Sequence, residues 1–155
     1  MTGKPILEIK GLHKRFGDHH VLKGIDFTVE PGERVAIIGG SGSGKSTFLR
    51  CMNFMETLSE GEIWLDGTRI GVEKKGTVTY PEKQLCQVRE RLGMVFQQFN
   101  LFPHMSVLDN VMEGLVTVQG KSKPEARRIA EAELAKVGLS DKHDAWPGRL
   151  SGGQQ

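Results

Sequence analysis

The chain opens on alternation. Ile6-Leu-Glu-Ile9 and, more clearly, Ile25-Asp-Phe-Thr-Val29 put apolar side chains at every second position, the period of a half-exposed strand, and the two read as an antiparallel pair. Gly17-Asp18 between them reads as a turn, and Glu30-Pro31-Gly32-Glu33 as a second, tighter one. The pattern then changes. Arg34-Val-Ala-Ile-Ile38 is a short continuous apolar run rich in β-branched residues, which predicts a strand buried on both faces. Gly93-Met-Val-Phe96 predicts another. Between these two runs, Phe48-Leu-Arg-Cys-Met52 can continue a helix that the stretch Ser59-Glu60-Gly61 ends. Asp66-Gly67, set between the apolar runs of Glu62–Ile70, predicts a hairpin. Gly71–Tyr80 reads as an irregular polar insertion, and Pro81–Arg91 as a helix with Leu85, Val88 and Leu92 on its apolar face.

From Asn100 onward the spacing is helical. Ser106 is placed to cap a helix beginning at Val107. Ser122-Lys-Pro-Glu125 has the form of a capping box, with Pro124 in a permissive first turn. Ala126, Ile129, Ala130, Leu134 and Val137 form the stripe to be buried, and Gly138 stands where a C-terminal cap belongs. A loop runs from Asp141 to Leu150. The implied fold class is α/β: a core of largely parallel strands with helices, an antiparallel β-subdomain, and a helical subdomain. The division is 1–99 for the first two and 100–155 for the third, within a single domain of 1–155.

Composition narrows the function. A net charge of +2, with basic residues scattered among acidic ones, gives no nucleic-acid signature. Two cysteines, Cys51 and Cys86, without C-x-x-C spacing argue against a disulfide framework or a zinc site, and fit a reducing compartment. The chain shows neither a signal peptide nor a membrane-length apolar run, so a cytoplasmic protein that reaches a membrane only through a partner is expected.

One stretch carries specific chemistry. Gly39-Gly40-Ser41-Gly42-Ser43-Gly44-Lys45-Ser46-Thr47 fits G-x-x-x-x-G-K-[ST], after an apolar run and before a helical one. A triphosphate is dense negative charge, and a helix start offers unpaired N–H groups and the positive end of its dipole. Glycines let the backbone wrap a phosphate without side chains in the way. Lys45 is the cation for the β- and γ-phosphates, and the Ser46 hydroxyl is a hard-oxygen ligand for Mg²⁺. Phe16, beside the Gly17 turn, has two readings from spacing alone: a core anchor, or a stacking platform for a nucleotide base.

Two further stretches, Met94-Val-Phe-Gln-Gln-Phe-Asn-Leu-Phe-Pro103 and Leu150-Ser-Gly-Gly-Gln154, join the phosphate loop to make a family resemblance. The chain resembles the ATPase subunit of an ABC transporter from Ile6 to Gln155, and the wording of Phe96–Val111 and Val116–Gly138 is similar to importers of polar amino acids. The resemblance implies ATP and Mg²⁺ as ligands. It implies that Phe16 stacks on adenine with Val21 flanking it, and that Gln97 reaches Mg²⁺ and the attacking water. Ser151, Gly152, Gly153 and Gln154 would close on the nucleotide of an opposite subunit. The implied partners are transmembrane permease subunits, a second ATPase subunit and, indirectly, an extracytoplasmic solute-binding protein. The implied place is the inner face of the cell membrane, bound peripherally. Gly40 stands where many relatives carry proline, which leaves that corner of the loop looser.

The ending departs from the family. A whole cassette runs to roughly 240 residues, whereas these 155 stop inside the signature. The acidic strand end, the Glu that follows it and the later histidine all fall downstream of the signature in the family. Ile63-Trp-Leu-Asp66 imitates the acidic strand but precedes the signature and continues into Gly67. His13, His19, His20, His104 and His143 read as surface or loop histidines. Two further readings stand beside an importer subunit: a truncated nucleotide-binding module without hydrolysis, and a soluble ABC protein of translation or DNA repair. The stretch Gln97–Val111, of the type that docks membrane subunits, argues against the last.

Overall fold

The computed structural model describes residues 4–74 and 76–155. The chain divides into two compact units, Met1–Met94 and Val95–Gln155.

The first unit is built on a long hairpin. Strand β1 (Leu7–Phe16) and strand β2 (His19–Val29) pair antiparallel across the Gly17-Asp18 turn. β1 is central: the sheet order is β2-β1-β3-β4, where β3 is Glu60–Leu65 and β4 is Thr68–Arg69. Along β1 the buried positions are Leu7 and Ile9, then Leu12 and Lys14. The parity changes because Gly11, with φ of 54°, forms a bulge between Ile9 and Leu12 that inserts one residue and flips the faces. β3 approaches closely here, since a Cβ on Gly61 would lie 2.7 Å from the Lys10 carbonyl oxygen. Asp66 (φ 47°) and Gly67 (φ 72°) make the expected β3–β4 turn. Gly71–Tyr80 is more regular than expected. Val72–Lys74 (β5) and Thr77–Thr79 (β6) pair as a second hairpin around a Gly76 at φ 75°.

Helix α1 (Lys45–Met52) buries Phe48, Cys51 and Met52, with Phe48 meeting Phe27 of β2 edge to face at 5.4 Å. It stops earlier than the expected Ser59–Gly61, because Phe54 takes a left-handed φ of 56° and turns the chain away. Helix α2 (Glu82–Arg91) buries Leu85 and Val88 as its spacing predicts, and Arg89 donates to the Phe54 carbonyl at 2.9 Å.

Two expected strands are not formed. Arg34–Ile38 and Gly93–Phe96 are irregular, Ile38 is 94% exposed and Val95 is 98% exposed. An apolar run specifies only what its side chains favour; a buried strand also needs neighbours for its N–H and C=O groups. No strand among the described residues pairs with either run, so the parallel part of the expected sheet is absent from them.

The second unit packs Val107 and Leu108 of helix α3 (Val107–Glu113) against Ala130 and Leu134 of helix α4 (Lys123–Lys136). Ser106 caps α3 as expected, accepting from the Asp109 N–H at 3.1 Å. Asn110 binds the preceding loop, accepting from Phe102 N–H at 2.7 Å and donating to the carbonyls of Met105 and Ser106. A π-helical turn, Gly114–Val118, continues α3. The capping box does not close: Ser122 makes no side-chain cap bond, and Glu125 pairs instead with Lys121 at 3.2 Å. Gly138 ends α4 at φ 74°, with Leu139 N–H donating to Leu134 and Gly138 N–H to Ala135. This reversal places Val137 outside the expected stripe, 68% exposed.

The histidines are less uniform than their sequence reading. His19 and His104 are exposed. His13 and His20 instead stack across β1 and β2 with ring nitrogens 3.0 Å apart, and His143 has a buried Nε2 without a partner.

Candidate nucleotide-binding site

The phosphate loop connects the β1–β2 hairpin to α1, and its shape follows from its glycines. Gly42 (φ 76°) and Gly44 (φ 94°) occupy the left-handed region that glycine alone enters without strain. Gly44 is the N-cap of α1, and its carbonyl accepts from Phe48 N–H at 2.8 Å. No side chain caps this helix end and no acidic residue sits in its first turn. The donors at Lys45, Ser46 and Thr47 therefore remain open to an anion, at the positive end of the helix dipole. Lys45 Nζ donates to the carbonyls of Gly39 at 2.7 Å and Gly40 at 2.8 Å. The ammonium is thereby held over the loop. The Gly40 carbonyl also accepts from Ser43 N–H at 3.3 Å, so the corner that lacks proline is fastened by hydrogen bonds. Ser41, Gly42, Ser43 and Ser46 are exposed. These groups fit a polyphosphate with a hard cation beside it: open amide donors, a cation, and a free hydroxyl on the first helical turn.

β2 supports the loop from below. A Cβ at Gly44 would meet Leu22 Cδ2 at 3.0 Å and Val21 Cγ1 at 3.2 Å. Gly44→Ala is therefore expected to cost about 1–3 kcal/mol, from the left-handed φ and the crowding together. Gly40→Ala, whose Cβ would meet nothing within 4 Å, should stay within about 0.5 kcal/mol. Urea midpoints of the two variants check the contrast.

Phe16 lies at the tip of β1 and is 46% exposed, outside the core cluster. Val21 is half-buried against that cluster. Phe16, Val21 and Gly39–Thr47 all belong to the first unit, while Gln97 and Ser151–Gln154 belong to the second. Gln97 is exposed in a bend with no regular structure around it. The signature folds as a tight turn: Gln154 N–H donates to the Ser151 carbonyl at 2.9 Å, and Gln154 Oε1 accepts from Ser151 N–H at 3.0 Å. Gly152 and Gly153 are exposed at its apex.

Asp66 is placed in the β3–β4 turn and pairs with Arg91, so the acidic strand end it imitates in sequence is a turn residue in space. Cys51 is buried, and burial pushes its thiol up to about 11, which leaves it an inert core residue. No cluster of three or more metal-ligating side chains occurs among the described residues. No helix among them is long and apolar enough to cross a membrane.

Sequence reasoning missed Lys14. It is buried, with 7% of its surface exposed, and its ammonium lies 4.6 Å from the centroid of the Phe16 ring. The available signal was its phase: it follows Leu12 by two residues on the face that Leu12 buries.

Comparison with known proteins agrees with this architecture. The ABC transporter family profile matches residues 22–155. The L-cystine import ATP-binding protein TcyN of Bacillus subtilis (strain 168) is 50% identical over 151 residues, covering 97% of this chain and 56% of the relative. The histidine/lysine/arginine/ornithine transport ATP-binding protein HisP of Escherichia coli (strain K12) is 51% identical over 153 residues, covering 96% and 60%. Among solved structures, the dimeric post-hydrolysis state of the ATP-binding cassette MJ0796, bound to ADP and Pi, superposes with a TM-score of 0.79 at 31% identity, covering 96% of this chain and 64% of that one. The chain thus spans 56% and 60% of the length of these two curated relatives. By the family match over residues 22–155 and the likeness to these relatives and this cassette, the chain belongs to the ABC transporter family of ATP-binding cassettes.

Proposed function

We propose that this chain is the nucleotide-binding part of an importer's ATPase subunit, coupling ATP binding and hydrolysis to uptake of a small polar solute, most specifically an amino acid. The uncapped, lysine-bearing loop at Gly39–Thr47 carries the reading. Its amides and Lys45 would hold the phosphates of ATP, and Ser46 would hold Mg²⁺, which supplies charge neutralisation on the phosphates. The family resemblance assigns Gln97 to Mg²⁺ and the attacking water. Phe16 stacks on the base with Val21 beside it. Ser151, Gly152, Gly153 and Gln154 present backbone donors to the nucleotide of a second, identical subunit. The partners are transmembrane permease subunits and, through them, a solute-binding protein. The protein lies on the cytoplasmic face of the membrane. The amino-acid assignment is supported by the transport roles that the relatives' names carry, at about half identity.

Phe16 provides the test of the base platform. Phe16→Ala is expected to weaken ATP by about 1–3 kcal/mol, the scale of one base–aromatic stack, while Phe16→Tyr stays near the parent. Calorimetric titration with Mg²⁺-ATP reads both. A Phe16→Ala protein that unfolds, with Phe16→Tyr also disrupted, would show that the ring serves the fold and not the ligand.

A further inference from the structure

We infer that Lys14 is a positioning residue for the base platform, tying the Phe16 ring to the exit of the phosphate-loop helix. The inference rests on the reading of Phe16 as that platform.

A lysine ammonium is strongly hydrated and is rarely buried without partners. Lys14 is buried, and its partners account for it. The ammonium donates to the Thr57 carbonyl at 2.8 Å, pairs with Glu56 at 3.0 Å, and lies 4.6 Å from the centroid of the Phe16 ring. The three contacts come from two places in the chain. Phe16 is on the β1 tip; Glu56 and Thr57 follow α1. Glu56 is itself fastened to the helix, since its N–H donates to the Arg50 carbonyl at 3.1 Å. Two more bonds bind the same segment to β1: Ser59 N–H donates to the His13 carbonyl at 2.9 Å, and Arg15 N–H donates to Ser59 Oγ at 2.9 Å. The backbone of the segment is thus held to β1 independently of Lys14. What Lys14 adds is a link to the ring itself.

Phe16 needs such a link because it is half-exposed and packs into no cluster that would fix its rotamer. An exposed aromatic that must stack on a base loses conformational freedom when it does so. A cation held over one face of the ring lowers that cost by holding the ring before the ligand arrives. The phosphate end of the site has different supports, the Lys45 bonds to Gly39 and Gly40 at the opposite end of α1. Loss of Lys14 should therefore reach the base and spare the phosphates.

That selectivity is the test. The 155-residue chain is titrated with Mg²⁺-ATP and with inorganic tripolyphosphate, with circular dichroism recorded for each variant. Lys14→Met, which keeps the apolar stem, is expected to lose about tenfold in ATP affinity and less than about twofold in tripolyphosphate affinity. Lys14→Arg should recover most of the loss, and Glu56→Gln should show the same selectivity in smaller measure. A folded Lys14→Met protein with unchanged ATP affinity, or with equal losses on the two ligands, overturns the inference. If Lys14→Met does not fold, Glu56→Gln decides by the same contrast. Phe16→Ala, run alongside, separates the two claims. A selective loss of ATP there but not in Lys14→Met sinks the role of Lys14 alone; no selective loss in Phe16→Ala sinks the platform and the role of Lys14 with it.

Discussion

Lys45→Ala is expected to reduce ATP affinity by a hundredfold or more, about 3 kcal/mol, in a protein that remains folded. The ammonium is the only side-chain cation that the loop itself carries, and charge-assisted hydrogen bonds to phosphate are among the strongest a side chain makes. The fold should survive because Lys45 lies outside the core cluster and bonds only to the loop carbonyls of Gly39 and Gly40. Those carbonyls are exposed and return to water when the lysine is removed. Calorimetric titration with Mg²⁺-ATP, beside a urea unfolding curve, measures both halves. Nucleotide affinity that persists in a folded Lys45→Ala protein would show that Gly39–Thr47 is not the phosphate site.

The 155-residue chain is expected to release phosphate from Mg²⁺-ATP no faster than its Lys45→Ala variant. Phosphoryl transfer is catalysed almost wholly by positioning and electrostatics, and the family resemblance assigns part of that work to a carboxylate beside the attacking water. Several of the first unit's carboxylates are engaged elsewhere. Asp66 pairs with Arg91, Glu56 with Lys14, Glu62 with Arg69 and Glu82 with Arg89, while Asp26 and Glu33 accept backbone N–H groups. A steady-state phosphate assay at high purity tests this. Turnover that survives purification and disappears with Lys45→Ala would mean that a carboxylate of this chain serves the reaction.

The sequence made the Gly39–Thr47 loop more legible than the sheet that supports it. Gly39–Thr47 is a local device: its glycines, its lysine and its helix start are contiguous, so a short window contains all of its physics. The caps at Ser106 and Gly138 and the turn at Asp66-Gly67 are local in the same way, and all three form as their residues predict. β1 was legible only as far as Ile9, because the Gly11 bulge reverses the inside–outside alternation and makes Leu12 and Lys14 look out of phase. Arg34–Ile38 and Gly93–Phe96 failed for the opposite reason. Their side chains favour a buried strand, but pairing depends on neighbours that a window of five residues cannot contain. Ser122 failed through competition, since Lys121 offers Glu125 a partner that the capping box would have used.

The central place of β1 also sets an order of assembly. β1 and β2 meet across the Gly17-Asp18 turn, a closure short enough to form early and alone. β1 and β3 meet only after the chain between Val29 and Glu60 has been gathered in, and that chain contains the phosphate loop and α1. Loop-closure entropy opposes that step, though weakly with length, about 0.6 kcal/mol for each doubling. Burial of Phe48, Cys51 and Met52 of α1 is the local gain that offsets it. The loop at Gly39–Thr47 thus lies inside the stretch of chain that the β1–β3 pairing closes.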